Sequence, residues 1–211
     1  MNASLILASA SPRRRELLTQ AGYRFETEPS SIPEQRNPGE DAIRFATRLA
    51  REKAQEVFAR HQPSAEAILV LGADTVVVCD EEVLGKPADA ADAARMLSML
   101  SGRTHQVVTG VAVAWGRASV EVAAEVTQVT MRTLSAQEVA DYVAGGEPMD
   151  KAGAYAIQGY AGRWIPRIAG CYFNVVGLPL ALATSLLEGA ESRLSSLGLS
   201  SLPGGPFKPQ A

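Results

Sequence analysis

Cysteine and histidine each occur only twice in this 211-residue chain. Cys79 and Cys171 lie far apart and match no metal-binding or redox spacing, so a disulfide framework is unsupported and two reduced, largely buried thiols are expected. His61 and His105 are equally separated, which argues against a histidine-rich metal site; a capping or core position would explain His105. No stretch approaches the roughly 20 apolar residues that cross a bilayer. The short apolar run in Met1–Ser11 is followed, not preceded, by Arg13, Arg14 and Arg15, the reverse of a secretory signal. A cytoplasmic location is expected. A positive excess is missing too: a net charge of −3 gives no reason to expect a nucleic-acid polymer or a membrane as partner. The glycines around Gly162 lack the Walker A pattern, no nucleophile elbow is present, and no solenoid-type repeat recurs.

What remains is 46% apolar and 20% charged, the balance of a soluble globular protein with one core or two closely joined lobes. Leu5–Ala8 reads as a short buried strand. Ser9–Pro12 turns into a helix with Ser11 as N-cap and Pro12 at its first position, and Gly22 ends it. After a loop holding Pro29, Pro33 and Pro38, Asp41–Arg60 reads as an amphipathic helix on Ile43, Ala46, Ala50, Ala54 and Val57. Ala67–Leu71 and Thr75–Cys79 are strand-like runs joined by Gly72-Ala73-Asp74. Asp89–Leu100 is expected to be helical and Gln106–Trp115 extended, with a turn at Gly116-Arg117 into the alternating run Val120–Val126. Ser135 and Glu138 form a capping box for a helix that ends at Gly145-Gly146. Tyr172–Val176 is expected to be a late core strand, Pro179–Leu187 a closing helix, and 189–211 a frayed tail. These elements predict an α/β protein with a mixed sheet.

Several clusters look chemical. Three arginines at the start of a helix oppose its dipole, a conflict that bound polyphosphate would resolve through helix N–H groups, Ser9, Ser11 and an arginine fork; exposure to water is the alternative. Arg13 lies nearest the turn, whereas Arg14 and Arg15 point in other helical directions. Lys53 shares a face with Leu49 and Val57, so it either snorkels outward or reaches into a polar cleft. Glu34, in its proline-flanked loop, is by itself no more than a solvated carboxylate. Asp74 sits where backbone joins apolar runs, a costly place for an unpartnered charge. Lys86 occupies a stiff Gly85-Lys86-Pro87 loop that suits a phosphate contact or simply the surface. Asp150, Lys151 and Gln158 bring a carboxylate, an ammonium and an amide among small residues, where Gln158 could read a base edge or a sugar and an ordinary turn network is the alternative.

Together these segments resemble the Maf family of nucleotide pyrophosphatases. The resemblance runs from Leu5 to Leu187 through Ser9–Arg14, Glu34, Arg51–Ala54, Gly72–Thr75, Leu84–Pro87, Ser101–His105, Asp150–Gly159 and Asn174–Leu180. It implies a single domain over 1–188, with an elongated central mixed sheet flanked by helices and two lobes around a cleft, similar to the inosine triphosphate pyrophosphatase fold. It implies Asp74 as proton acceptor, with Lys53, Lys86 and Glu34 beside it in catalysis. Arg13, Thr75 and Gln158 match positions of substrate choice; Ser9, Ser11, Arg14, Asp150 and Lys151 complete the expected substrate contacts. A divalent cation, Mg²⁺ or Mn²⁺, is implied with Glu34 and Asp74 as its carboxylates, and Asp74 acts either as the proton acceptor or mainly as a metal ligand. The run Ala154–Gly159 resembles the branch that acts on dTTP and UTP, not the one that acts on 7-methyl-GTP. Modified pyrimidine nucleotides would be further substrates, and the resemblance allows a homodimer. The alternative is a nucleotide-binding regulator of division or envelope growth with little turnover.

Overall fold

The computed structural model describes residues 4–61, 68–116 and 119–196. The expected α/β class holds. Strands β1 (Ser4–Leu7), β2 (Glu26–Thr27), β3 (Ile68–Cys79), β4 (Glu82–Leu84), β5 (Thr104–Trp115), β6 (Ser119–Thr130) and β7 (Arg167–Ala169) form one seven-stranded sheet. Helices α1 (Pro12–Gln20), α2 (Ala42–Arg60), α3 (Ala90–Leu100), α4 (Ala136–Ala144), α5 (Tyr172–Val176) and α6 (Leu180–Ser196) connect and flank it. The order is β2-β1-β3-β5-β6-β7, with β4 on β3. β1 runs parallel to both neighbours, Leu5 facing Leu69 and Leu7 facing Leu71, while β4 and β7 pair antiparallel to β3 and β6, which makes the sheet mixed.

The chain forms two compact units: the described residues up to Asp74 with Gly110–Ala124 and those from Gly177 on, and Thr75–Thr109 with Glu125–Val176. In the first, Asp41 caps α2 by accepting from Arg44 N at 2.8 Å. Ala46, Leu49, Ala50, Lys53, Ala54 and Val57 then face inward at helical spacing. Ala50, Ala54, Val57 and Phe58 join Ile6, Val70, Ala112 and Ala114 in one core. Ile43, expected on that stripe, is 49% exposed; burial along α2 begins only at Phe45. The approach is close because two strand positions have no side chain. A Cβ on Gly72 would lie 2.3 Å from Ala50 O, and one on Gly110 2.3 Å from Ala46 O.

The second unit packs α3 and α4 around Leu97, Leu100, Met131, Tyr142 and Trp164. Each such fully buried apolar side chain stabilises the fold by about 1.5–3 kcal/mol relative to its exposed state. Both helices are capped, α4 by the expected box and α3 by Asp89, which the sequence reading placed inside the helix. Asp92 N donates to Asp89 Oδ1 at 2.8 Å, and the Ser135–Glu138 box closes with Glu138 N donating to Ser135 Oγ at 3.2 Å and Ser135 N donating to Glu138 Oε2 at 2.9 Å.

Three expectations are corrected. Gly72-Ala73-Asp74 is no connector: β3 is continuous from Ile68 to Cys79, and its small residues serve the approach of α2 instead of a turn. Tyr172–Val176 is a helical turn, not a strand, since a five-residue apolar run carries no decisive period and Asn174 is drawn inward by its amide. α6 continues past Leu187 to Ser196 with Ala190 and Leu194 buried, so it takes in 189–196, read from sequence as tail. Arg117 of the expected turn, Ala67 of the expected strand and the remainder of the tail lie outside the described residues. Both cysteines are free thiols, Cys79 buried and Cys171 half-buried. Among the described residues, no helix is long and apolar enough to cross a membrane.

Candidate active site

The first unit gathers Ser9, Ser11, Arg14, Glu34, Lys53 and Asp74. Ser11 caps α1 by accepting from Arg14 N at 3.5 Å, and Pro12 stands in the first turn as expected. Ser9, 6% exposed, accepts from Ser11 N and from Arg14 Nη1, both at 3.2 Å. Arg14 turns inward. Its Nε donates to Gly177 O at 2.8 Å and its Nη1 to Ala73 O at 2.9 Å, so one guanidinium ties the start of α1 to the backbone beside Asp74. Burial lowers its pKa, an effect that Asp74 and Glu34 offset. Arg13, on the preceding helical position, is half-buried.

Lys53 resolves the alternatives left by its helical position: it reaches inward. Its Nζ donates to Asp74 Oδ1 at 2.6 Å and to Glu34 Oε1 at 2.5 Å, a charge-assisted pair of bonds from one ammonium. Lys53 is 7% exposed and Asp74 6%, whereas the Glu34 side chain is 44% exposed. Burial raises the Asp74 pKa above its ordinary value; Lys53 and Arg14 pull it back, and Glu34 pushes it up. Asp74 is thus a buried carboxylate whose neighbours carry compensating charge.

Sequence reasoning missed what holds Glu34. Arg48 donates from Nε to Glu40 Oε1 at 2.7 Å and from Nη2 to Glu40 Oε2 at 2.8 Å, a bidentate clamp, and Nη2 also reaches Gln35 O at 2.8 Å. The loop around Glu34 is therefore pinned to α2, the helix that carries Lys53. An arginine five positions before a buried lysine is a weak signal, and no local pattern could have found it.

The second unit carries Thr75, Lys86, Asp150, Lys151 and Gln158. Thr75 is half-buried, and its hydroxyl lies 2.9 Å from Thr109 Oγ1. Lys86 and Gln158 are exposed. Gly153 N donates to Gly85 O at 3.0 Å, which fastens the Lys86 loop to the segment between Asp150 and Gln158. Lys151 Nζ donates to Asp150 Oδ1 at 2.5 Å and to Glu147 O at 2.6 Å. Glu147 also accepts from Tyr142 OH at 2.9 Å and from Tyr160 N at 3.3 Å, which braces the turn that presents Gln158. His105 is a core residue: burial pushes its pKa down to about 4, and its Nε2 lies 2.8 Å from Tyr155 OH. Asn174 and Thr109, given no role from the sequence, are both 0% exposed and form the network behind Thr75.

Among the described residues, no three or more His, Cys, Asp or Glu side chains gather as metal ligands. Glu34 and Asp74 are instead a converging pair of oxygen donors, which is the number a Mg²⁺-type ion commonly takes from protein when phosphate and water supply the rest.

Convergent buried charges beside a helix start that offers serine hydroxyls and N–H groups define a protein built to handle anionic groups. The chain belongs to the Maf family, whose sequence pattern, described as Maf-like protein, matches residues 4–190. It is 52% identical over 190 residues to a dTTP/UTP pyrophosphatase of Koribacter versatilis, covering 90% of this chain and 96% of that one. It is 54% identical over 188 residues to a dTTP/UTP pyrophosphatase of Salmonella typhimurium and 53% identical over 185 residues to one of Escherichia coli O157:H7; each match covers 88% of this chain and 92% of the relative. A solved dITP/XTP pyrophosphatase from Mycobacterium abscessus aligns with 92% of this chain and 97% of its own at 14% identity and a TM-score of 0.41.

Proposed function

We propose that this protein hydrolyses dTTP and UTP to the monophosphate and pyrophosphate. The observation that carries the reading is the Lys53 ammonium held between Asp74 and Glu34, on a framework shared with relatives named for that activity. Asp74 orients water and takes up its proton during attack at the α-phosphorus. Lys53 holds Asp74 in place and offsets the charge that builds up. Ser9, Ser11 and Arg13 contact the phosphates from the start of α1, and Arg14 contributes charge while fixing the backbone next to Asp74. By the family resemblance, Lys86 is a further phosphate contact, Asp150 and Lys151 shape the nucleoside contact, and Thr75 and Gln158 meet the base.

Glu34 and Asp74 would hold Mg²⁺ or Mn²⁺, since their all-oxygen donor set suits a hard cation. Such an ion supplies neutralisation of phosphate charge. The substrates belong to a cytoplasmic nucleotide pool, in which modified pyrimidine triphosphates would also be targets.

Initial rates with dTTP, UTP, CTP, dATP, GTP and 7-methyl-GTP test the reading, with monophosphate and pyrophosphate resolved from diphosphate and phosphate. Preferential conversion of dTTP and UTP to monophosphate is expected. Preference for another base rejects the specificity, and release of diphosphate and phosphate rejects the reaction.

A further inference from the structure

Gln158 stands in a turn whose two ends are held by one pair of side chains. Gly159 N donates to Ala156 O at 3.1 Å, which closes the turn over 156–159 with Gln158 at its third position. At the near end Ala156 N donates to Tyr142 OH at 3.2 Å, and that hydroxyl gives its single proton to Glu147 Oε1 at 2.9 Å. At the far end Tyr160 N donates to Glu147 Oε2 at 3.3 Å. Every direction is fixed, because a backbone amide only donates and a carboxylate only accepts. The carboxylate also lies flat against the turn. A Cβ on Gly159 would stand 2.2 Å from Glu147 Oε1 and 3.1 Å from Oε2, and its three nearest atoms all belong to that carboxyl group. Tyr142 is itself anchored, buried on α4 with its ring edge-to-face on Trp164 at 4.9 Å between centroids.

We propose that Tyr142 and Glu147 are positioning residues that clamp this turn, fix the reach of Gln158, and so select a pyrimidine over a purine that carries the same pairing groups. The inference rests on the reading of Gln158 as a base contact. Uracil and guanine both present a ring N–H beside a carbonyl, and an amide that accepts at Oε1 and donates at Nε2 pairs equally well with either. The glutamine side chain therefore cannot tell the two apart by hydrogen-bond type. Distance can, because a purine carries that edge farther from the sugar than a pyrimidine does. Selection by distance requires the reading group to be held within about 0.5 Å by supporting partners of its own. Tyr142 and Glu147 supply that support at both ends of the turn, from behind the side chain that reads the base.

The test uses the full chain and its Tyr142→Phe, Gly159→Ala and Gln158→Ala variants with UTP and GTP. Tyr142→Phe keeps the ring and removes the hydroxyl that joins Ala156 to Glu147. It should lower the UTP-over-GTP ratio of kcat/KM by about tenfold, the worth of one hydrogen bond. Gly159→Ala should lower the ratio likewise while the denaturation midpoint stays near wild type, since only the end of the Glu147 side chain has to move. This variant carries the test if Tyr142→Phe does not fold. Equal loss for UTP and GTP would mark a merely structural role and overturn the proposal. In a Gln158→Ala background, Tyr142→Phe should leave the ratio where Gln158→Ala alone puts it. A further fall there would mean that the clamp does not act through Gln158 and overturns the proposal as well. Gln158→Ala alone separates the two levels of failure. An unchanged ratio removes Gln158 as a base contact and the proposal with it, whereas a changed ratio with unchanged ones in Tyr142→Phe and Gly159→Ala overturns the clamp alone.

Discussion

Lys53 Nζ lies 2.6 Å from Asp74 Oδ1, and both side chains are more than nine-tenths buried. Neither charge would be tolerated at this depth without the other. Asp74→Asn should lower kcat by on the order of 10³-fold, the scale of a lost proton acceptor. Lys53→Met should cost at least about 10²-fold, since it leaves Asp74 buried without its main counter-charge. Steady-state rates on variants with wild-type circular dichroism check both, and near-wild-type turnover in folded Asp74→Asn would sink the assigned role.

The same burial sets a pH dependence. Burial raises the Asp74 pKa, and the ionised form is the active one, so activity should fall on the acid side. The acid limb of kcat/KM, which reports the free enzyme, is expected above the ordinary value of 3.8. The sign for stability is opposite to that of a surface ion pair. A raised carboxyl pKa means the folded chain binds the proton more tightly than the unfolded chain, so stability from this group declines as pH rises from 3.8 toward the raised value. Asp74→Asn should therefore gain denaturation midpoint relative to wild type at pH 7 compared with pH 4. An acid limb at or below 3.8 would contradict the raised value.

Arg48 governs the position of Glu34 through Glu40 and Gln35 O. Arg48→Ala should reduce kcat by up to about 10²-fold by loosening that loop, and Arg48→Lys should restore little, because an ammonium cannot reproduce the bidentate fork. The Arg48 hydrogen bond holds the Glu40 pKa down to about 2. The stabilisation is thus complete above the ordinary 4.5 and fades as pH falls toward 2. Urea unfolding of wild type and Arg48→Ala across that window should converge at the acid end.

Gly110 tests how α2 is seated. Its Cβ would lie 2.3 Å from Ala46 O, so Gly110→Ala forces helix and strand apart and should cost about 1–3 kcal/mol or more. Chemical denaturation measures this directly. A neutral result would mean that α2 does not rest on the strand as described.

Removal of divalent metal with excess EDTA should abolish turnover, and Mg²⁺ or Mn²⁺ should restore it. Glu34→Gln should raise the metal concentration needed for half-maximal rate more than it changes the KM for UTP. Undiminished turnover after exhaustive chelation would remove the cation from the proposed function.

The sequence by itself determined where α1, α2, α3 and α4 begin. Ser11, Asp41, Asp89 and the Ser135–Glu138 box each cap through a bond to a residue three positions away, and such contacts are written in local order. Separated motifs also marked Asp74, Lys53 and Glu34 as chemical. Only the tertiary structure decided that one ammonium bridges the two carboxylates, because 19 residues separate Lys53 from Glu34 and 21 separate it from Asp74. It also decided that Gly72-Ala73-Asp74 continues β3, since those small residues answer to the backbone of α2 and not to a turn. Helix at Tyr172–Val176 and the roles of Thr109 and Asn174 were likewise hidden. Capping is a local bond, but the partners of a buried amide or hydroxyl are chosen by strands that meet only after the chain has folded.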